Sequence, residues 1–197
     1  NTSGLYNNAF GYQALNATTT GTRNAAFGSL ALAANTSGQY NVAVGNGALQ
    51  SATSADAQVA VGFQALTNAT TATGNTAVGY QAAFSNTTGL YNNAFGNASL
   101  YSTTTGTRNV AIGGQTLYSN TSGSYNVALG NIALFANTTG QQNVALGYAA
   151  LTNATADSQT AVGYQALTSA TTGIWNSAFG WNALQATTTG TRNTGVG

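Results

Sequence analysis

A chain of 197 residues with three Arg, two Asp and no Lys, Glu, His, Cys or Met lacks the paired titratable groups of acid/base catalysis and the base that activates a nucleophile. It reads as a non-enzyme with no cofactor, no metal centre and no disulfides. A net charge of +1 provides neither the clustered cations that nucleic acid demands nor a polybasic membrane patch, and no apolar run reaches the roughly 18 residues that cross a bilayer.

The first element, Leu5-Tyr6-Asn7-Asn8-Ala9-Phe10-Gly11, announces a unit that recurs along the whole chain. Clear copies are Asn41-Val42-Ala43-Val44-Gly45, Asn109-Val110-Ala111-Ile112-Gly113 and Asn176-Ser177-Ala178-Phe179-Gly180. The closing glycines, from Gly11 to Gly197, are 17 residues apart except for a step of 16 between Gly147 and Gly163. With Asn41 as coil position 1, position 1 is Asn or Gln, position 3 is Ala except for Gly195, and position 4 is Phe, Val, Ile or Leu. Positions 8 and 9 mostly read Ala-Leu, position 13 is Thr, and position 15 is mostly Gly.

Each unit holds two apolar segments of about five residues, too short for helices and bounded by Gly and Asn/Thr/Ser clusters, which are strand and turn signals. A unit this small closes no core alone, so the expectation is an all-β parallel β-solenoid. It has about twelve 17-residue coils, two short strands per coil, and runs as a single array over 1–197. At about 4.8 Å per coil the rod is roughly 55 Å long. The position-15 Gly is expected to supply a positive φ, and the short unit to have lost a residue within Thr155-Ala156-Asp157. The array begins and ends partway through a repeat, which predicts a segment of a longer chain.

Adjacent strand positions point to opposite faces, yet positions 3 and 4, and again 8 and 9, are all apolar. One assignment puts Ala inside, with Asn at position 1 as a hydrogen-bonded ladder, and leaves position 4 and the Leu at position 9 facing a neighbouring chain; the reverse assignment remains open. Phe10, Phe27, Val44, Val61, Val78, Phe95, Ile112, Leu129, Leu146, Val162 and Phe179 are therefore core or oligomer-seam residues. Such a row, at roughly 1.5–3 kcal/mol per buried side chain, is too much to leave wet and predicts copies of the chain packed side by side.

The Asn-x-Ala-[Val/Ile/Phe]-Gly-x-x-Ala-Leu unit resembles the head repeats of trimeric autotransporter adhesins of the YadA type, and the Asn/Thr/Gly-rich repeats of phage tail fibres. The resemblance implies a left-handed parallel β-roll, a homotrimer around a common axis, and an extracellular place at a cell surface or on a virion. The expected function is a structural and adhesive fibre segment giving reach, rigidity and attachment. The alternatives are a carbohydrate- or ice-binding solenoid module and a filament that assembles end to end.

Rings recur in columns: Tyr12, Tyr80, Tyr148, Tyr164 and Trp181, with Phe63, at position 6; Tyr40, Tyr91, Tyr125 and Trp175 at position 17; Phe84, Tyr101, Tyr118 and Phe135 at position 10. Flat rings beside Asn, Gln and Thr suit stacking on a cell-surface glycan, and equally suit packing of the solenoid itself. The Thr column is the feature that an ice-binding face would use. Asn-x-Ser/Thr sequons place candidate glycosylation at Asn35, Asn68, Asn86, Asn120, Asn137 and Asn153, on a corner expected to be exposed. The three Arg read as solvated corner residues.

Overall fold

A computed structural model describes residues 3–197. It contains twelve three-residue strands, from β1 (Asn8–Phe10), β2 (Ala25–Phe27) and β3 (Val42–Val44) to β11 (Ser177–Phe179) and β12 (Thr194–Val196), one per coil. All pair in parallel in chain order within one sheet. The register advances by one repeat at each step, with Val42 beside Val59 and Ala43 beside Ala60. The short unit keeps it, since Thr160 still pairs with Val144 and the missing residue is absorbed in the corner at Thr155–Asp157. The chain is therefore a parallel β-solenoid, as the repeat predicts.

The expectation of two strands per coil is corrected to one. The second apolar segment winds as a turn in which positions 7 and 9 are left-handed, as at Gln64 (φ 54°) and Leu66 (φ 49°). Its N–H groups bond the next coil, Leu49 N–H to Ala65 O at 3.0 Å and Leu66 N–H to Ala82 O at 3.0 Å. A left-handed leucine costs on the order of 1–2 kcal/mol, and burial of its side chain, worth roughly 1.5–3 kcal/mol, offsets it. Because the backbone is not extended there, alternation fails and both Ala65 and Leu66 point inward and are fully buried.

The interior is thus built from Ala at position 3, Ala at 8 and Leu at 9. A Cβ on Gly195, which stands at coil position 3 in the middle of β12, would lie 2.6 Å from Leu184 Cγ, so the space that the position-3 side chain can fill is already bounded by leucine. Position 4 is not core, and neither does the position-9 Leu face outward. Phe10, Phe27, Val44, Phe95, Ile112, Leu129 and Phe179 are exposed on the single chain, and Val61, Val78, Leu146 and Val162 are half-buried.

Polar ladders run beside the apolar core. The Asn41 Nδ2 donates to Asn24 Oδ1 (3.0 Å) and to Ala55 O (2.7 Å), while the Asn41 backbone N–H also donates to Asn24 Oδ1 (3.0 Å). The same pattern recurs at Asn109 and Asn126, which is the ladder expected of position 1. The buried amides of Asn41, Asn109 and Asn126 are thereby satisfied by their neighbours, as buried polar groups generally are, and Gln159, whose Nε2 has no partner, is the exception at this position.

Two glycine positions have different reasons. At position 5 the φ is 133° at Gly45, and a Cβ there would run into Gly62 O. At position 15 the expected positive φ is absent: Gly38 is required instead by close approach, a Cβ there meeting Ala55 O and Asn35 Oδ1. Position 17 supplies the left-handed corner, with glycine at Gly74 (φ 70°) and with other residues elsewhere, as at Tyr40 (φ 59°) and Arg108 (φ 56°).

Candidate functional site

The solenoid turns its chemistry outward, since no cavity and no cluster of metal-ligating side chains forms among the described residues, and none of its elements is a helix able to cross a membrane. The outer surface of the sheet is the largest feature. Alternation in the strands between the two terminal ones buries position 3 and turns positions 2 and 4 outward, so β3 reads exposed, buried, exposed along Val42, Ala43 and Val44, whereas Ala9 of β1 is exposed and Gly195 of β12 half-buried. Val44 is 38% and Leu129 46% exposed. Three strand residues at about 3.3 Å each, over twelve coils about 4.8 Å apart, make a footprint on the order of 500 Å². Position 4 is apolar in every coil but position 2 is Asn, Thr or Ser in six of the twelve, so the apolar part of this footprint is roughly a few hundred Å², the size of the largest apolar patch on an isolated soluble chain, which often marks an interaction site.

Aromatic columns flank this strip at positions 6 and 17. At position 6 the rings lie on one another: Phe63 on Tyr80 at 5.4 Å, Tyr148 on Tyr164 at 5.3 Å, and Tyr164 on Trp181 at 6.2 Å. Tyr12 stands at the same position, its neighbour in the next coil being Ser29. Four further rings, Phe84, Tyr101, Tyr118 and Phe135, form a continuous stack at position 10, with centroids 5.1–5.3 Å apart. Many of the ring faces expected to receive a sugar are therefore spent on neighbouring coils.

Position 17 differs, because there the rings alternate with the cations. Arg23 Cζ lies 5.5 Å from the Tyr6 ring and 5.4 Å from the Tyr40 ring, and Arg23 Nη1 donates to Tyr40 Oη at 3.0 Å. Arg108 repeats this between Tyr91 and Tyr125, 5.5 Å from each, with Nη1 to Tyr125 Oη at 3.0 Å. Arg192 lies 4.5 Å over Trp175. The arginines are exposed but held, which corrects their reading as merely solvated. Spacing at five-coil intervals was visible in the sequence; that rings occupy the coils on both sides required position 17 to be read as one column.

The Thr column is a backbone device. Thr36 Oγ1 donates to Thr53 O at 3.0 Å, and Thr87 Oγ1 to Thr104 O at 3.0 Å. These bonds run between coils, not within the turn, and account for the strict Thr at position 13.

The sequon corner is not uniformly exposed. Asn35, Asn86, Asn120 and Asn137 are fully buried, and their Nδ2 atoms donate to the carbonyls of Gly38, Gly89, Gly123 and Gly140. Their amides are inaccessible in the folded chain, which corrects the expectation for these four. Asn68 is half-buried and Asn153 exposed, the latter donating to Thr168 O at 3.0 Å. Asp56 and Asp157 each accept a backbone N–H from the preceding coil, Gln39 and Gln141 respectively, both at 2.7 Å.

Comparison with protein-family models, with curated proteins and with solved structures returns no match.

Proposed function

We propose that this chain is a rigid segment of an extracellular fibre, at a cell surface or on a virion, whose copies pack side by side and whose work is reach and attachment. The observation that carries this reading is the outer strip of the sheet, a position-4 column of Phe, Val, Ile and Leu of which most members are exposed and Val61, Val78, Leu146 and Val162 are half-buried on the single chain. Water-exposed apolar surface of that extent is stabilised by covering it, and a second copy presents the same strip at the same repeat. A homotrimer around a common axis is the arrangement implied by the resemblance to autotransporter heads and tail fibres.

Rigidity follows from the ladders, because strand and turn bonds tie each coil to the next and Asn and Thr side chains add further ties in most coils. Sedimentation equilibrium tests the reading. The expected mass is a multiple of the 19.7 kDa protomer, and a monodisperse monomer at micromolar concentration would overturn it.

A further inference from the structure

Each arginine clamp is complete within one chain, so what it binds is a question separate from how rods assemble. A guanidinium has five N–H donors in a fixed planar fork. In the Tyr6–Arg23–Tyr40 clamp the hydroxyl of Tyr40 takes one of them, and rings on both sides hold the group in place. The rest of the fork faces solvent, since Arg23 and Arg108 are both exposed. No carboxylate of the same chain is beside it. Asp56 lies two coils from Arg23 and three from Arg108, and Asp157 three from Arg108, by position in the repeat, so the nearest stands roughly 10 Å away along the rod.

A preorganised, unpaired fork is suited to bidentate capture of a carboxylate, and loses little side-chain freedom on binding. The surrounding groups narrow the ligand further. Position 16 beside the clamps carries Thr22 and Gln39, whose side chains bond each other at 3.0 Å, and Thr107 and Ser124, whose backbone N–H and hydroxyl meet at 3.0 Å. One cation among hydroxyls, amides and tyrosine edges matches a ligand with one carboxylate per several hydroxyls. Nucleic acid would require cations in clusters. A carboxylate from a second copy is the less suited partner, because Asp56 Oδ1 already accepts the Gln39 N–H.

We propose that the Tyr6–Arg23–Tyr40 and Tyr91–Arg108–Tyr125 clamps bind carboxylate-bearing saccharides, one uronic-acid-type carboxylate per guanidinium. The two clamps are five coils apart, roughly 24 Å, so an acidic polysaccharide engages both and gains apparent affinity from the linkage.

The test is calorimetric titration of the 197-residue chain with an oligogalacturonate, a neutral galactan and dextran sulfate. The wild type is expected to bind the oligogalacturonate and not the galactan, and the Arg23→Gln/Arg108→Gln variant to lose at least tenfold in affinity. Should that variant fail to fold by circular dichroism, Arg23→Lys/Arg108→Lys keeps the charge without the fork and is expected to lose several-fold. Absence of wild-type binding, undiminished binding by the folded variant, or dextran sulfate binding as tightly as the oligogalacturonate would each overturn the proposal. So would a change in sedimentation of the variant without a change in saccharide binding, which would assign the clamps to contacts between copies.

Discussion

Asn35 and Gly38 interlock across a single corner: Asn35 Nδ2 donates to Gly38 O at 3.3 Å, while a Cβ on Gly38 would meet Asn35 Oδ1. The two positions are linked along the chain in one direction, since Ala at position 15 requires Ala at position 12 while Ala170 still keeps Gly173. Ala55, Ala72 and Ala156 replace the position-15 glycine only in coils whose position 12 is Ala, namely Ala52, Ala69 and Ala154. Where position 12 is Asn or Thr, position 15 is always Gly.

Gly38→Ala is expected to destabilise the array by about 2 kcal/mol or more through overpacking. In an Asn35→Ala background the same change is expected to cost at least ~1 kcal/mol less, since contacting residues couple. The check is a double-mutant cycle by urea unfolding; additive effects would mean that the two side chains do not share the space. The cycle also tests whether the Ala corners are a self-consistent alternative.

Adjacent strand residues are expected to respond in opposite ways. Val44→Asp with Leu129→Asp places charges on the outer strip, where solvent accepts them, and should leave circular dichroism unchanged while shifting sedimentation to the monomer. Ala43→Asp places an unpaired carboxylate in the interior, where the penalty is several kcal/mol, and should abolish folding of that coil. Retention of the assembly by the outer double variant would move the interface elsewhere.

Gln159 is the weak rung of the amide ladder. Its Nε2 is buried with no partner, whereas the Asn at the equivalent place in other coils reaches a corner carbonyl, as Asn126 does to Gly140 O at 2.8 Å. Gln159→Asn should therefore stabilise by about 1 kcal/mol, the lower end of the cost of an unsatisfied buried donor. A rise in the urea midpoint is the expected result.

Tyr118 sits inside the position-10 stack, 5.1 Å from Tyr101 and 5.3 Å from Phe135. Tyr118→Ala removes two ring contacts and should cost about 1–3 kcal/mol at roughly 0.5–1.5 kcal/mol per contact. Tyr118→Phe keeps both contacts and should be near neutral. Amide exchange in the coils carrying Tyr101 and Phe135 would localise the loss.

Much of the candidate surface was legible as columns, because a fixed repeat converts sequence position into spatial alignment. Tyr40 and Tyr125 were readable as members of one column, and so were the arginines. What could not be read was that the Arg23 and Arg108 guanidiniums lie against those rings and each donates to a tyrosine hydroxyl, since this depends on side-chain direction at a left-handed corner. The buried amides of Asn86 and Asn137 were hidden for a similar reason: a sequon is a local pattern, and burial is a property of the corner that the neighbouring coils close around it.

By itself the sequence determined the solenoid and its register, and offered the amide ladder as one of two assignments. The period is strict, each unit is too small to close a core, and a parallel stack is the arrangement in which every Asn meets its own kind. Only the tertiary structure decided which apolar positions face inward. Residue type does not distinguish a leucine in a strand from one in a left-handed turn, and the turn is imposed by backbone bonds to the coils on either side. That choice puts Leu66 inside beside Ala65 and leaves Val44 outside, which makes one side of the repeat a core and the other an open apolar surface.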